Sequence, residues 1–230
     1  MKAMLLAAGR GERLRPLTDT TPKPLLRVGG RALIVWHLER LAAAGWREVV
    51  INHAHLGEQI VATLGDGSAF GLRIAYSPEP AGALETAGGI ATALPLLGRA
   101  PFLAISSDVW CDWDVARARA LAANLGRQRA HLILVDNPAH HPAGDFGFDH
   151  GRVYSAGTFP HAALTYSGIA IFDPALFAAL SIGTRMKLRP LIEHEIGCAR
   201  VSGERHGGRW VDVGTPERLA ELDAELASAA

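Results

Sequence analysis

Cysteine is scarce in this chain: two thiols, Cys111 and Cys198, among 230 residues. Two cysteines do not make the disulfide framework of a small secreted domain, and both read as buried or idle thiols. An excess of either charge is also missing, since 23 basic residues face 23 acidic ones. That balance excludes the broad basic footprint of a nucleic-acid binder and leaves room for a local cationic pocket. No apolar run reaches the length that spans a bilayer, so no membrane partner is expected. The N-terminal Met1-Lys2-Ala3-Met4-Leu5-Leu6-Ala7-Ala8 imitates a signal peptide. Its apolar run is too short, however, and residues 9–15 are rich in glycine and arginine where a cleavage region would stand. It reads as a buried first strand, and the protein as cytoplasmic. Repeats, low-complexity tracts and linkers are absent, and no Ser-His-Asp arrangement is legible. His140-His141 makes a poor metal pair, because adjacent residues face different ways and no third ligand has suitable spacing.

What is present is a large apolar fraction, 49%, enough for one sizeable core and a single domain over residues 1–230. Residues 3–8 form an apolar run ending at Gly9, as a strand buried on both faces requires. Helical spacing over 32–44 (Ile34, Leu38, Leu41) is closed by Gly45. Strands over 48–51, 72–76 and 102–106 then alternate with helices near 56–64 and over 86–96. This alternation predicts βαβ units and a mixed, mostly parallel Rossmann-like sheet in a three-layer αβα sandwich. After Val135 the pattern changes to a hairpin over 145–155, a strand over 163–172, a helix near 187–196 and strands over 201–204 and 209–213. Thr215-Pro216 then opens a closing helix marked by Leu219, Leu222 and Leu226. Ligands of such sheets bind beyond the carboxyl ends of the strands, which points to Gly9–Arg13 and to Ser107-Asp108.

Gly9-Arg10-Gly11-Glu12-Arg13 places a glycine-rich turn after a buried strand. Its bare amides suit phosphate oxygens, and Arg13 adds a charged donor fork. Taken alone, the pentapeptide fits an ordinary tight turn equally well. It is neither the dinucleotide fingerprint, since Leu14 holds the third glycine position, nor a P-loop, since no Gly-Lys-Ser/Thr follows. Ten residues on, Pro22-Lys23-Pro24 stiffens a lysine between two prolines and keeps it out of a helix interior. Together, the run from Leu5 to Thr18 and Pro22-Lys23-Pro24-Leu25 resemble the signature of the sugar-1-phosphate nucleotidyltransferase family. The resemblance continues to Trp210-Val211-Asp212-Val213-Gly214-Thr215. Asn52-His53-Ala54, residues 84–89 and Leu134-Val135-Asp136-Asn137-Pro138 resemble the uridylyltransferase branch that acts on N-acetylmuramate 1-phosphate in cell-wall sugar recycling.

The resemblance implies transfer of UMP from UTP to a sugar 1-phosphate with release of pyrophosphate. It implies a nucleotide-binding half over about 1–112 and a sugar-binding lid half over about 113–230. Nucleotidyl transfer needs a hard cation, and the resemblance assigns Mg²⁺ to Asp108 and Asp212. It places Ala8, Gly9, Gly11, Arg13, Lys23, Thr86, Gly88 and Ser106 around the nucleotide, with Thr86 and Gly88 against the base. Arg13 and Lys23 act on the reacting phosphates, and Asp145, Gly168 and Lys187 meet the sugar. Ser106-Ser107-Asp108 departs from the Asn-Gly-Asp of the muramate branch. Asp112 and Asp114 precede a helix and read as caps. Of His53 and His55, one is placed to face the pocket. Trp36, Trp46 and Trp113 read as packing residues, and Trp110 and Trp210 as walls of the site. A monomer or small homo-oligomer is expected. Two other readings are guanylyl or other nucleotidyl transfer to mannose or glucose 1-phosphate, and a non-catalytic nucleotide-sugar-binding regulator.

Overall fold

Strand β1 (Ala3–Leu6) alternates its side chains between two cores, as the two-residue period of a strand demands. Ala3 and Leu5 enter one apolar cluster and Met4 the other, all three without solvent exposure. The computed structural model that shows this describes residues 1–80, 82–159 and 161–228. After β1 come α1 (Leu17–Thr20), β2 (Arg27–Val28), β3 (Arg31–Ala32), α2 (Leu33–Ala43), β4 (Glu48–His53), α3 (Gly57–Leu64), β5 (Arg73–Pro78), α4 (Glu85–Leu97) and β6 (Phe102–Ser106). The remainder contains β7 (Val109–Cys111), α5 (Ala118–Ala123), β8 (Ala130–Val135), β9 (Phe146–Asp149), β10 (Arg152–Ser155), β11 (Thr165–Phe172), α6 (Leu188–Gly197), β12 (Val201–Arg205), β13 (Trp210–Asp212) and α7 (Pro216–Ser228).

One nine-stranded sheet runs in the order β5-β4-β1-β6-β11-β8-β12-β10-β9. Only β11 and β10 run against the other strands, so the sheet is mixed and mostly parallel, as the alternating pattern predicts. Helices α2 and α3 cover one face through Ile34, Leu38, Leu41, Ile60 and Leu64. Helices α4 and α6 cover the other through Ile90, Ala93, Leu97 and Ile192. The result is the expected αβα sandwich. A third cluster, Leu14, Leu26, Val28, Leu33, Val213 and Leu222, fastens α7 over the loop that follows β1. Helix α2 ends at Gly45 (φ 76°). There Gly45 N–H donates to the Ala42 carbonyl and Trp46 N–H to the Leu41 carbonyl, which satisfies the last carbonyls of the helix. Asp149 pairs with Arg152 across a two-residue turn, His150-Gly151, whose φ angles are both positive (45° and 79°). Among the described residues no helix is long and apolar enough to cross a membrane.

The chain leaves β1 toward β4 and β5, then returns past β1 to β6. Strand order therefore reverses between β1 and β6, and a crevice opens beyond their carboxyl ends. The register makes those ends level: Leu6 pairs with Asn52 on one side and Ser106 on the other. Outside the main sheet, β7 and β13 form an antiparallel ribbon in which Asp212 faces Val109. That ribbon carries the second candidate aspartate to the first.

Candidate active site

Where β1 ends, its loop is pinned from both neighbouring strands. Ala7 N–H donates to Asn52 Oδ1 at 3.0 Å, and the Ser107 amide and hydroxyl both donate to the Leu6 carbonyl, at 3.1 and 2.7 Å. Asn52 Nδ2 passes the link on to Glu79 Oε1 (2.6 Å), and Glu79 Oε2 accepts the Leu84 amide (2.8 Å). A Cβ at Gly89 would lie 2.3 Å from Glu79 Oε1, so the bare backbone there is what admits this chain of bonds. The second serine of Ser106-Ser107 thus spends its hydroxyl on β1, while Ser106 stands in the walls of the crevice.

Three joined cavities of about 300, 270 and 480 Å³ make a trough over the strand ends, and Thr86 and Ser106 stand in the walls of all three. The first takes Ala8, Gly9, Lys23, Asn52 and Asp108. The second takes Asp145, Phe146, Tyr166, Lys187 and Arg189. The third takes Arg13, Asp108, His140, Gly168, Trp210 and Asp212. The trough therefore gathers most of the residues singled out from the sequence. Gly11 is an exception with a clear reason. Its φ is +68°, and a Cβ there would sit 2.9 Å from Thr18 Cγ2 and 3.2 Å from Lys23 Cβ. Gly11 makes room for the lysine stem beneath the loop and does not line the trough.

Lys23 is buried and aimed inward. Pro22 holds an extended backbone, residues Lys23–Leu25 turn once, and the Lys23 ammonium donates to Asp108 Oδ2 at 2.6 Å. Asp212 arrives by the ribbon: Val213 N–H donates to the Asp108 carbonyl at 3.0 Å. Asp212 Oδ2 is met by Arg218 Nη1 (3.0 Å) and His140 Nε2 (3.3 Å). Gly214 admits the guanidiniums, since a Cβ there would lie 2.3 Å from Arg218 Nη2 and 3.0 Å from Arg13 Nη2. Among the described residues the Oδ1 atoms of Asp108 and Asp212 carry no hydrogen bond. Asp212 pairs with Val109, the residue after Asp108, and carboxylate oxygens are hard donors that suit a hard divalent cation. Among the described residues the ligand atoms of Cys111, Asp112 and His206 also lie within 4.8 Å of one another, outside the trough.

Several expectations need correction. Gly88 does not meet the trough. Its amide and that of Ala87 donate to the Met186 carbonyl, and a Cβ would lie 2.1 Å from the Thr184 carbonyl oxygen. The bare glycine serves a backbone-to-backbone seal between α4 and residues 184–186. Gly88→Ala is therefore expected to destabilise the fold by about 1–3 kcal/mol through overpacking, a loss that urea unfolding measures directly. Asp112 is not a cap: β7 ends just before it, its amide binds the Arg209 carbonyl and its carboxylate pairs with His206 at 2.6 Å. Asp114 does cap, accepting Ala116 N–H at 2.9 Å. Neither His53 nor His55 lines the trough. His53 packs edge-on to Tyr76, and His55 meets the Thr18 carbonyl and Arg10. Trp210 walls the third cavity and donates to the Ser167 carbonyl at 2.9 Å, whereas Trp110 packs behind it with Leu14 and Val213.

Gly168 stands where the β11–β8 register shifts, with φ +82° and Ser106 only 2.9 Å from a built Cβ. Its backbone brings β11 against Ser106. Asp145 accepts the Tyr166 amide at 2.9 Å and faces His141 (3.2 Å) and Arg189 (3.5 Å). Residues to which the sequence gives no site role include Glu79, Glu85, His140, Tyr166, Arg189 and Arg218. Glu85 carried a trace, as a non-glycine residue opening a helix at the site, and its φ is +60°. Strained backbone of this kind concentrates at ligand sites.

The chain matches the nucleotidyl transferase family over residues 2–229. It is 55% identical over 225 residues to the N-acetylmuramate alpha-1-phosphate uridylyltransferase of Neisseria meningitidis serogroup B, covering 97% of each chain. It is 37% identical to the enzyme of the same name from Caulobacter vibrioides, covering 99% of this chain and 97% of that one. Among solved structures, a putative glucose-1-phosphate thymidylyltransferase from Bacillus anthracis superposes with a TM-score of 0.85 at 22% identity, over 99% and 95% of the two chains, and so shares the fold. With the family matched from end to end and the signature loop folded onto the crevice at β1 and β6, the chain belongs to the nucleotidyl transferase family.

Proposed function

We propose that the protein transfers UMP from UTP to N-acetylmuramate 1-phosphate and releases pyrophosphate. The observation that carries this reading is the 2.6 Å Lys23–Asp108 pair at the trough, with Asp212 beside it in the ribbon. The substrate assignment rests on the relatives at 55% and 37% identity, both named for that activity. A phosphate oxygen of the sugar 1-phosphate attacks the α-phosphorus, a new P–O bond forms, and the bond to the bridging oxygen of pyrophosphate breaks. The nucleophile is already an anion, so no covalent enzyme intermediate is needed, and catalysis is positioning with charge neutralisation. Mg²⁺, held by Asp108 and Asp212, would supply charge neutralisation and a template for the phosphates.

The chain's own groups divide the remaining work. The backbone of Ala8 and Gly9 offers amides to the triphosphate, with Gly11 permitting the turn. Arg13 holds the leaving pyrophosphate and Lys23 neutralises the transferring phosphate. Thr86 and Ser106 border the nucleoside, while Asp145, Gly168 and Lys187 border the sugar. Residues 1–112 thus serve mainly the nucleotide, and residues 113–230 the sugar, with Asp212 returning to the metal. A reaction fed by UTP belongs in the cytoplasm, and a monomer or small homo-oligomer suffices for it.

The test is a matrix of four NTPs against several sugar 1-phosphates, read by pyrophosphate release and repeated with EDTA. UTP with N-acetylmuramate 1-phosphate is expected to give product, to stop with EDTA and to resume with excess Mg²⁺. Product confined to GTP with mannose 1-phosphate would replace the uridylyl reading. Tight nucleotide-sugar binding without any turnover would make the protein a regulator.

A further inference from the structure

We propose that Lys187 recognises the carboxylate of the lactyl ether on the sugar, and so selects an acidic amino sugar over its neutral counterparts. The inference rests on the muramate reading above and deepens it. Most cations on the walls of the trough are already neutralised. Lys23 holds Asp108 (2.6 Å), Arg185 holds Glu85 (3.2 Å), and Arg189 lies against Asp145 (3.5 Å) and Glu193 (3.5 Å). Among the described residues two wall cations have no carboxylate in reach, Arg13 and Lys187. They stand in different cavities. Arg13 shares the third with Asp108 and Asp212, where the phosphates react.

Lys187 lines the second cavity, whose walls include none of Lys23, Asp108 or Asp212. A cation there is poorly placed for the reacting phosphates and well placed for a different anion. N-acetylmuramate 1-phosphate carries one, the lactyl carboxylate at C3, with a methyl group beside it. The floor of this cavity is Leu6, Leu132, Phe146 and Ile192, an apolar bed for that methyl. Lys187 also immediately precedes α6 with extended backbone (φ −72°, ψ 149°), so the unpaired amides at the positive end of that ten-residue helix add to its field. The neighbouring guanidinium of Arg189 is fixed by its bond to the Asp145 carbonyl (2.9 Å) and by packing over Phe146, which leaves Lys187 as the adaptable donor.

The experiment compares kcat/KM with UTP for N-acetylmuramate 1-phosphate and for the same sugar phosphate with its lactyl carboxylate converted to a primary amide. The two differ in charge and little in shape. The wild-type acid-to-amide ratio is expected to be about 10–100, the scale of one charge-assisted hydrogen bond. In Lys187→Gln the ratio is expected to fall to about 1, and in Lys187→Arg to stay well above 1. A general loss of folding or of phosphate binding lowers both substrates together and leaves the ratio unchanged. A wild-type ratio near 1, or a wild-type ratio retained in Lys187→Gln, overturns the assignment while the uridylyl reading stands. Failure of the wild type to use either sugar phosphate with UTP overturns both.

Discussion

Asp108→Ala is expected to reduce kcat by about 10²-fold or more and also to lower stability by about 2 kcal/mol, whereas Lys23→Met is expected to match the kinetic loss with little change in stability. The kinetic part follows, for Lys23, from removing one preorganised charge at the transferring phosphate and, for Asp108, from removing a carboxylate that would hold the metal. The stability part follows from an asymmetry in the pair: the Lys23 side chain is 8% exposed and that of Asp108 39%. Without Asp108 a nearly buried ammonium loses its counter-charge, and breaking fully buried pairs in this way costs about 3–5 kcal/mol. Water reaches the carboxylate side of the pair, which moderates the cost. Without Lys23 the carboxylate rehydrates, and a methionine stem fills the tunnel under Gly11. Urea unfolding and pyrophosphate release, measured on the same preparations, separate the two effects. Near-normal turnover in Asp108→Ala would remove the metal role from that side chain.

The same pair shows what the sequence could disclose and what it could not. Strand β1, its glycine-rich loop and the prolines around Lys23 lie within 25 residues, so their chemistry is local and legible. The parallel sheet is legible for a similar reason, since each βαβ unit is a short run of changing periodicity. Strand β7 is different. Three residues, Val109–Cys111, have no measurable period, and only pairing with β13 a hundred residues later makes them a strand. The sequence shows Asp112 as a cap because that pairing joins segments a hundred residues apart. The resemblance sets Gly88 against the base, while the atom that approaches it is the Thr184 carbonyl oxygen. The bracket of Arg218 and His140 around Asp212 joins three segments, and no spacing rule links them. The legible part of this site was thus the part whose physics is contained in one segment.

Acidification from pH 7 to pH 4 is expected to remove about 3 kcal/mol of stability through one residue, His37. Its ring is buried on α2, and Nε2 bonds the Val109 carbonyl oxygen at 2.8 Å. Burial foremost, with the nearby Arg40 charge, pushes its pKa down from 6.5 to about 4. The sign follows from which state takes the proton first. Above pH 6.5 both folded and unfolded chains carry neutral imidazole, and the native contribution is complete. Between 6.5 and 4 the unfolded chain binds a proton that the folded chain refuses, so stability falls with pH and levels off below about 4. A difference of about 2.5 units at 1.36 kcal/mol per unit gives the stated loss. His131, whose pKa is also lowered by burial, adds to the slope with the same sign. His37→Gln keeps an uncharged donor at the Val109 carbonyl, and its unfolding free energy should lack this part of the pH dependence. The informative quantity is the wild-type curve minus the variant curve, because paired carboxylates shared by both cancel. Val109 follows Asp108 and faces Asp212, so turnover should decline reversibly over the same pH window in the wild type and less steeply in the variant. A difference curve that stays flat between pH 6.5 and 4.5 would show that this histidine is not the buried neutral base the geometry makes it.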